Sequence, residues 1–215
     1  MKQKNKKNAI IIGAGGHCRV ISSMLISLRK YESIKILDLS EPKEKKILNL
    51  DVEKINENLS SYRTDINDFY LAIGENKVRE IWWKKLENIK ASRPSLVSDS
   101  ALIEKNSMIG DGNIICQNSY LGVLTKLGNN NIINSGSIID HETIIGSNCH
   151  IAPGSVIAGR VTIEDNCFIG AGAVIKDNLS ISKNSIIGSG SVLLESIDVN
   201  SSMFAGVPAK FKKKI

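Results

Sequence analysis

Two rhythms of apolar residues divide this chain. From Ile103 to Ile187 every sixth residue is Ile or Leu, fifteen in succession, and Leu193 and Val199 keep the phase. Four places after most of them stands a small residue, such as Ser107, Ser119, Thr125, Ser137, Cys149, Ser155 or Ala173. A helix would need apolar residues at a 3.6-residue period, and a strict period of six does not supply it. One hexad makes one short strand and one turn. Three hexads close a triangular coil in which each Ile or Leu points inward and stacks on its counterpart in the next coil. At roughly 4.8 Å per coil, five coils build a prism on the order of 24 Å tall.

The first half has another grammar. Asn8–Gly13 (NAIIIG), Ser33–Asp38 (SIKILD) and Asp68–Gly74 (DFYLAIG) are short apolar runs, two of them ending in glycine, as buried parallel strands do. Cys18–Tyr31 and Asn76–Ile89 have helical spacing. The alternation predicts a βαβ domain with a parallel, Rossmann-like sheet. Residues 39–64 are polar and show no clear period. Pro94 marks a plausible junction, which sets the domains at 1–95 and 96–215.

Charge changes the picture little. The net charge is +6, but Lys2, Lys4, Lys6, Lys7, Lys210, Lys212, Lys213 and Lys214 lie in the two tails. Without those eight, 20 basic residues face 22 acidic ones, so the basic balance does not describe a nucleic-acid face. The four cysteines have no CxxC spacing, which argues against a zinc knuckle or redox pair. No segment has the length of a membrane span or the form of a signal peptide, so the cytoplasm is the expected location.

Only three histidines exist: His17, His141 and His150. His141 is third in its hexad, in a turn, and Glu142 follows it. A histidine braced by a carboxylate suits general base catalysis near neutral pH; a solvated His–Glu pair is the plain alternative. His150 comes nine residues later, half a coil away. The two rings therefore belong on different sides of one prism and could meet only across an interface between copies. That geometry, with His17 in the other half, gives no reason to expect a metal site. Gly13-Ala14-Gly15-Gly16 follows a strand and opens a helix, where backbone N–H groups can approach a phosphate. The full dinucleotide fingerprint would need glycine where Cys18 stands.

IIGAGGH near the start, LAIGENKVR in the middle, NSGSIIDHETIIGSNCHIAPGSVIAG in the repeat and FAGVPAK at the end resemble the bacterial sugar acetyltransferases with hexapeptide repeats. That family includes UDP-4-amino-sugar N-acetyltransferases and sialic acid O-acetyltransferases. The resemblance implies a left-handed β-helix, a homotrimer with its active site at the subunit interface, and acetyl-CoA as co-substrate without a metal. It implies that His141 is the base and that Glu142 raises its basicity. His150 would lie near the acetyl group, and Gly159, Ala171 and Ser189 along the acetyl-CoA groove. Gly15, Gly16, His17, Asp38 and Gly74 would hold a sugar nucleotide, although Leu39 stands where amino-sugar enzymes often have a second acid. The expected reaction is N-acetylation of a nucleotide-activated 4-amino sugar in surface-glycan biosynthesis. O-acetylation of a sialic acid or related sugar, and a non-catalytic scaffold, are the competing readings.

Overall fold

The computed structural model describes residues 7–56, 58–62 and 64–215, so Lys2, Lys4 and Lys6 lie outside it. The chain divides into two compact units, Met1–Leu96 and Val97–Ile215.

The first unit is built on β1 (Asn8–Ile12), α1 (Gly16–Leu28), β2 (Ile34–Asp38), β3 (Lys46–Ile47), β4 (Leu50–Lys54), β5 (Asn67–Leu71) and α2 (Asn76–Asn88). The sheet order is β3-β4-β2-β1-β5, parallel throughout except for β3 against β4. The three apolar runs thus form three adjacent strands, β2-β1-β5, buried as their composition requires. The helices begin at Gly16 and end at Leu28 and Asn88, a few residues from the periodic limits. The unreadable stretch 39–64 holds the β3–β4 hairpin, whose turn residues Leu48 and Asn49 have φ of 47° and 65°. One sheet face presents Ile10, Ile12, Leu37, Phe69 and Leu71 to Trp83 and Leu86 of α2.

Both ends of the sheet are tied down by polar clusters. After β5, the buried Arg79 donates from Nη1 to the carbonyls of Ile73 (3.0 Å) and Gly74 (3.2 Å), and from Nη2 to Asn76 Oδ1 (2.9 Å). These bonds compensate a guanidinium removed from water and fix the loop at the strand's C-terminal end. At the N-terminal end, the buried Asp68 accepts from Lys7 Nζ (2.7 Å), Ser92 Oγ (2.6 Å) and Tyr31 Oη (2.8 Å). Burial works to raise the Asp68 carboxyl. The three hydrogen bonds and the Lys7 charge outweigh it and hold the group below the usual carboxylate range.

The second unit is a prism of two-residue strands. Each strand pairs in parallel with the one eighteen residues away, as in Ile133↔Ile151 and Ile151↔Ile169. Three sheets result. The first face runs from Leu102–Ile103 to Val192–Leu193 and the second from Met108–Ile109 to Ser180–Ile181. The third runs through Ile114–Ile115, Ile132–Ile133, His150–Ile151, Phe168–Ile169 and Ile186–Ile187, and continues into a terminal hairpin of Ser202–Ala205 and Lys210–Lys214. This is a left-handed parallel β-helix of hexapeptide repeats. The ladder from Ile115 to Leu193 forms one continuous core. The small residues of the repeat close the corners from inside, and several hydroxyls donate to the carbonyl three residues back, such as Ser119 Oγ to Cys116 O (2.7 Å).

The phase breaks in the last coil. Val199 was expected to point inward, but it is exposed, and Ile197 is buried instead, bridging to Ile181 sixteen residues earlier. The last corner is two residues short, and the ladder passes from there to Phe204, which pairs with Ile187.

Four free cysteines are buried. Burial pushes the Cys116 thiol up to about 12 and raises Cys18 as well, which fits packing and not reactivity.

Candidate active site

The edge between the first and second faces gathers the chemistry. Ile139 ends one strand, Asp140 to Thr143 turn the corner, and Ile144 begins the next. Asp140 Oδ1 accepts the His141 N–H (2.7 Å), and Glu142 N–H donates to Val123 O (2.9 Å), so the turn is pinned along the chain and to the preceding coil. Glu142 Oε2 lies 3.0 Å from His141 Nδ1. Nδ1 therefore donates, which leaves the lone pair on Nε2. Nε2 has no hydrogen-bond partner among the described residues. The ring is 41% exposed, enough to meet a ligand while still held on one side.

The next coil completes the edge. Arg160 Nε donates to the same Glu142 Oε2 (3.0 Å), and Arg160 N–H donates to His141 O (2.9 Å). The hydrogen bond with His141, with the charge and hydrogen bond of Arg160, holds the Glu142 carboxyl below its ordinary range. Gly159 lies against the imidazole: a Cβ there would stand 2.5 Å from both Cε1 and Nε2 of His141. Its φ is ordinary, so glycine is present for space and not for backbone freedom.

His141, Glu142 and Gly159 are thus together. The other residues implied for the co-substrate are elsewhere on the prism. His150 is on the third face, opposite the His141 edge, with its ring edge-on to Phe168 at 5.2 Å and its Nε2 3.2 Å from Asn134 Nδ2. Ala171 and Ser189 are exposed and stack one coil apart on the edge between the third and first faces, where Gly190 N–H donates to Ala171 O (2.8 Å). A single prism does not bring these to His141.

Arg160 escaped the sequence reading, although a signal was present. The fourth place of each hexad has left-handed backbone. From 106 to 190 it is asparagine or glycine at every edge position except Leu124, Glu142 and Arg160, which stack in adjacent coils. Side chains other than Asn and Gly are disfavoured there, and the exceptions mark this one edge.

In the first unit, Asp38 ends β2, Gly15 and Gly74 lie in the loops that follow β1 and β5, and Gly16 and His17 open α1. The strand order reverses between β1 and β5, and open parallel sheets bind ligands in the crevice at such a point. The glycines separate into two kinds. Gly13 has φ of 104° and a Cβ there would stand 2.9 Å from Ala72 O, so the turn itself requires it. A Cβ on Gly15, Gly16 or Gly74 would meet nothing within 4 Å, so the fold does not demand glycine there. The helix that opens at Gly16 turns the positive end of its backbone dipole toward this crevice, a setting suited to an anion.

Comparison with known proteins adds the following. Residues 8–86 match the model of the PglD N-terminal domain, and residues 124–159 and 160–195 match the bacterial transferase hexapeptide (six repeats) model. A perosamine N-acetyltransferase from Caulobacter crescentus, solved as a histidine-to-asparagine mutant with CoA and GDP-perosamine, is 26% identical; the match covers 96% of this chain and 97% of that one, with a TM-score of 0.90. PerB from the same organism, also with CoA and GDP-perosamine, is 27% identical over the same shares, with a TM-score of 0.88. The acetyltransferase domain of PglB from Neisseria gonorrhoeae, in complex with acetyl coenzyme A, shares the fold at 24% identity, 96% and 100% coverage and a TM-score of 0.89. No curated protein sequence matches the chain.

Proposed function

Because the chain belongs to the hexapeptide-repeat sugar acetyltransferases, acyltransferases that use acetyl-CoA as co-substrate, we propose that it N-acetylates a nucleotide-activated 4-amino sugar with His141 as general base. The observation that carries this reading is the His141–Glu142 pair, with Nδ1 braced at 3.0 Å and Nε2 unengaged. Glu142 accepts from Nδ1–H and thereby fixes the tautomer. The sugar amine attacks the thioester carbonyl, a C–N bond forms, and Nε2 takes the proton that the amine loses. The tetrahedral intermediate collapses with cleavage of the C–S bond, and the imidazolium returns the proton to the departing sulfur. The amide and CoA thiol are the products, and no step calls on a metal. An Asp or Glu beside imidazolium stabilises the charge that develops during attack.

The relatives with bound CoA and GDP-perosamine support a nucleotide-linked acceptor. In this reading Gly15 and Gly16 present backbone N–H groups to the diphosphate, His17 and Gly74 flank it, and Asp38 contacts ribose or base, all within residues 1–95. Residues 96–215 supply acetyl-CoA binding and the base. His150, Gly159, Ala171 and Ser189 bind acetyl-CoA only as a set drawn from two copies, because one prism keeps them on different sides. A homotrimer answers this, and the first face favours it: Leu102, Ile138 and Val174 point outward in a column and are 57%, 41% and 39% exposed. Sedimentation showing a stable monomer with full activity would remove that part of the proposal.

His141→Ala is the direct test. We expect turnover to fall by at least ~10²-fold, the usual range for a lost general base, with acetyl-CoA still raising the melting temperature. Near-normal turnover would exclude His141 as base. Sialic acid O-acetylation would use the same base, so the acceptor that drives thiol release from acetyl-CoA decides between them. We place the enzyme in the cytoplasm, acting in surface-glycan synthesis. A surface glycan still fully N-acetylated in cells lacking the protein would refute that role.

A further inference from the structure

We infer that Arg160 is a positioning residue for the acyl transfer, clamping the Glu142 carboxylate where it can orient the His141 ring. This rests on the reading of His141 as base and adds a residue to it.

Three observations carry the inference. The first is the shared atom: Glu142 Oε2 accepts from His141 Nδ1 and from Arg160 Nε, each at 3.0 Å. The Glu142 side chain is 43% exposed. A carboxylate on a flexible, half-exposed chain samples several rotamers in water, and a bond to the imidazole alone would not hold it. Arg160 supplies the second anchor. The second observation is register: Arg160 N–H donates to His141 O at 2.9 Å, the bond that stacks each corner on the one eighteen residues before it, and this seats the Arg160 side chain beside Glu142. Backbone and side chain of one residue thus fix the turn and the carboxylate together. The third is conformational. Glu142 and Arg160 have φ of 57° and 59°, a region that the other edges of the prism give to asparagine and glycine. Either of those would suit the backbone better. What asparagine and glycine cannot supply is this carboxylate, and a guanidinium eighteen residues on to hold it.

The charged groups in the corners of this edge are Glu104, Lys105, Asp140, Glu142, Arg160, Lys176 and Asp177, and of these Glu142 is the one hydrogen-bonded to the His141 ring. Asp140 Oδ1 is engaged with the His141 N–H, which leaves Glu142 as the acid that meets the ring and Arg160 as the cation that meets Glu142. Arg160 touches no atom of His141 that takes part in proton transfer, so its effect passes through the carboxylate.

The test compares Arg160→Met, Arg160→Lys and Glu142→Gln/Arg160→Met with Glu142→Gln and His141→Ala, by thiol release from acetyl-CoA. Arg160→Met should lower kcat by roughly ten- to hundredfold, the scale of a catalytic group misplaced by about an ångström. KM for both substrates should stay within about twofold. Arg160→Lys should recover part of the loss, since it restores the cation without the Nε geometry. In the Glu142→Gln background, Arg160→Met should cost nothing further, because the carboxylate it positions is gone. Unchanged kcat in Arg160→Met, with His141→Ala inactive, would overturn the inference and leave the base standing. Full activity in His141→Ala would sink the base reading itself. A raised KM for acetyl-CoA at unchanged kcat would overturn the inference by making Arg160 a ligand contact. Independent, additive losses in the double variant would overturn it by showing that Arg160 does not act through Glu142.

Discussion

Replacing Gly159 by alanine places a methyl carbon 2.5 Å from both Cε1 and Nε2 of His141. Carbon–carbon contacts settle near 3.5–4.0 Å, so the ring has to retreat by about 1 Å. It pivots about its own Cα–Cβ bond, and that motion carries Nδ1 with it. The bond to Glu142, now 3.0 Å, then opens beyond hydrogen-bonding reach. A shift of about 1 Å in a catalytic group costs on the order of 10²-fold in rate, and that is the loss expected in kcat. The backbone should not object, because φ at Gly159 is one that alanine adopts. Fewer unfolded conformations would even favour the variant by about 0.4–1 kcal/mol. Steady-state thiol release and a thermal melt on the same sample measure both quantities. A kcat within about threefold of the parent at equal melting temperature would refute the steric argument. So would a large rise in KM for acetyl-CoA with kcat unchanged, which would leave Gly159 its place in the co-substrate groove and remove it as a seat for the base.

Two further outcomes follow from the first unit. Gly16→Val fills a space that no protein atom occupies, so it should raise KM for the nucleotide sugar by about tenfold or more and leave the melting temperature within a few degrees; unchanged KM would remove the glycine loop from the substrate site. Asp68→Asn exchanges a buried, triply hydrogen-bonded carboxylate for a neutral amide and should cost about 2–4 kcal/mol at pH 7 by urea unfolding. The Asp68 carboxyl is held low in the folded state. Its contribution is therefore full above the unfolded carboxylate pKa and is lost as pH falls through the folded value. The gap between parent and variant should narrow on acidification, and a gap that stays constant from pH 7 to pH 3 would contradict this.

What was legible in the sequence followed the strength of local repetition. The aliphatic ladder reads directly because each coil asks for the same residue at the same place, and one misplaced side chain would be a charge or a gap in the core. Val199 misleads because the last corner loses two residues, a change that period counting cannot register when Ile197 and Val199 are equally apolar. The β3–β4 hairpin is opaque for another reason. It is short, sits on an edge, alternates charges with few apolar residues, and turns through Leu48 and Asn49 instead of an Asn-Gly pair. His141 and Glu142 are neighbours in sequence and announce themselves. Arg160 does not, since its contact with Glu142 exists only through the register of stacked coils.

That register has a consequence for insertions and deletions. Strands pair with partners eighteen residues away, and each hexad turns the chain by one third of a coil. Removing a single hexad ahead of His141 would keep Ile over Ile and leave the core sealed. It would also carry the His141, Glu142 and Arg160 group, still intact, to a neighbouring edge, facing whatever that side faces. Removing three hexads would shorten the prism and return the group to its own side. Length variation in this unit is therefore quantised twice: steps of six preserve the fold, and only steps of eighteen preserve the direction in which the base looks.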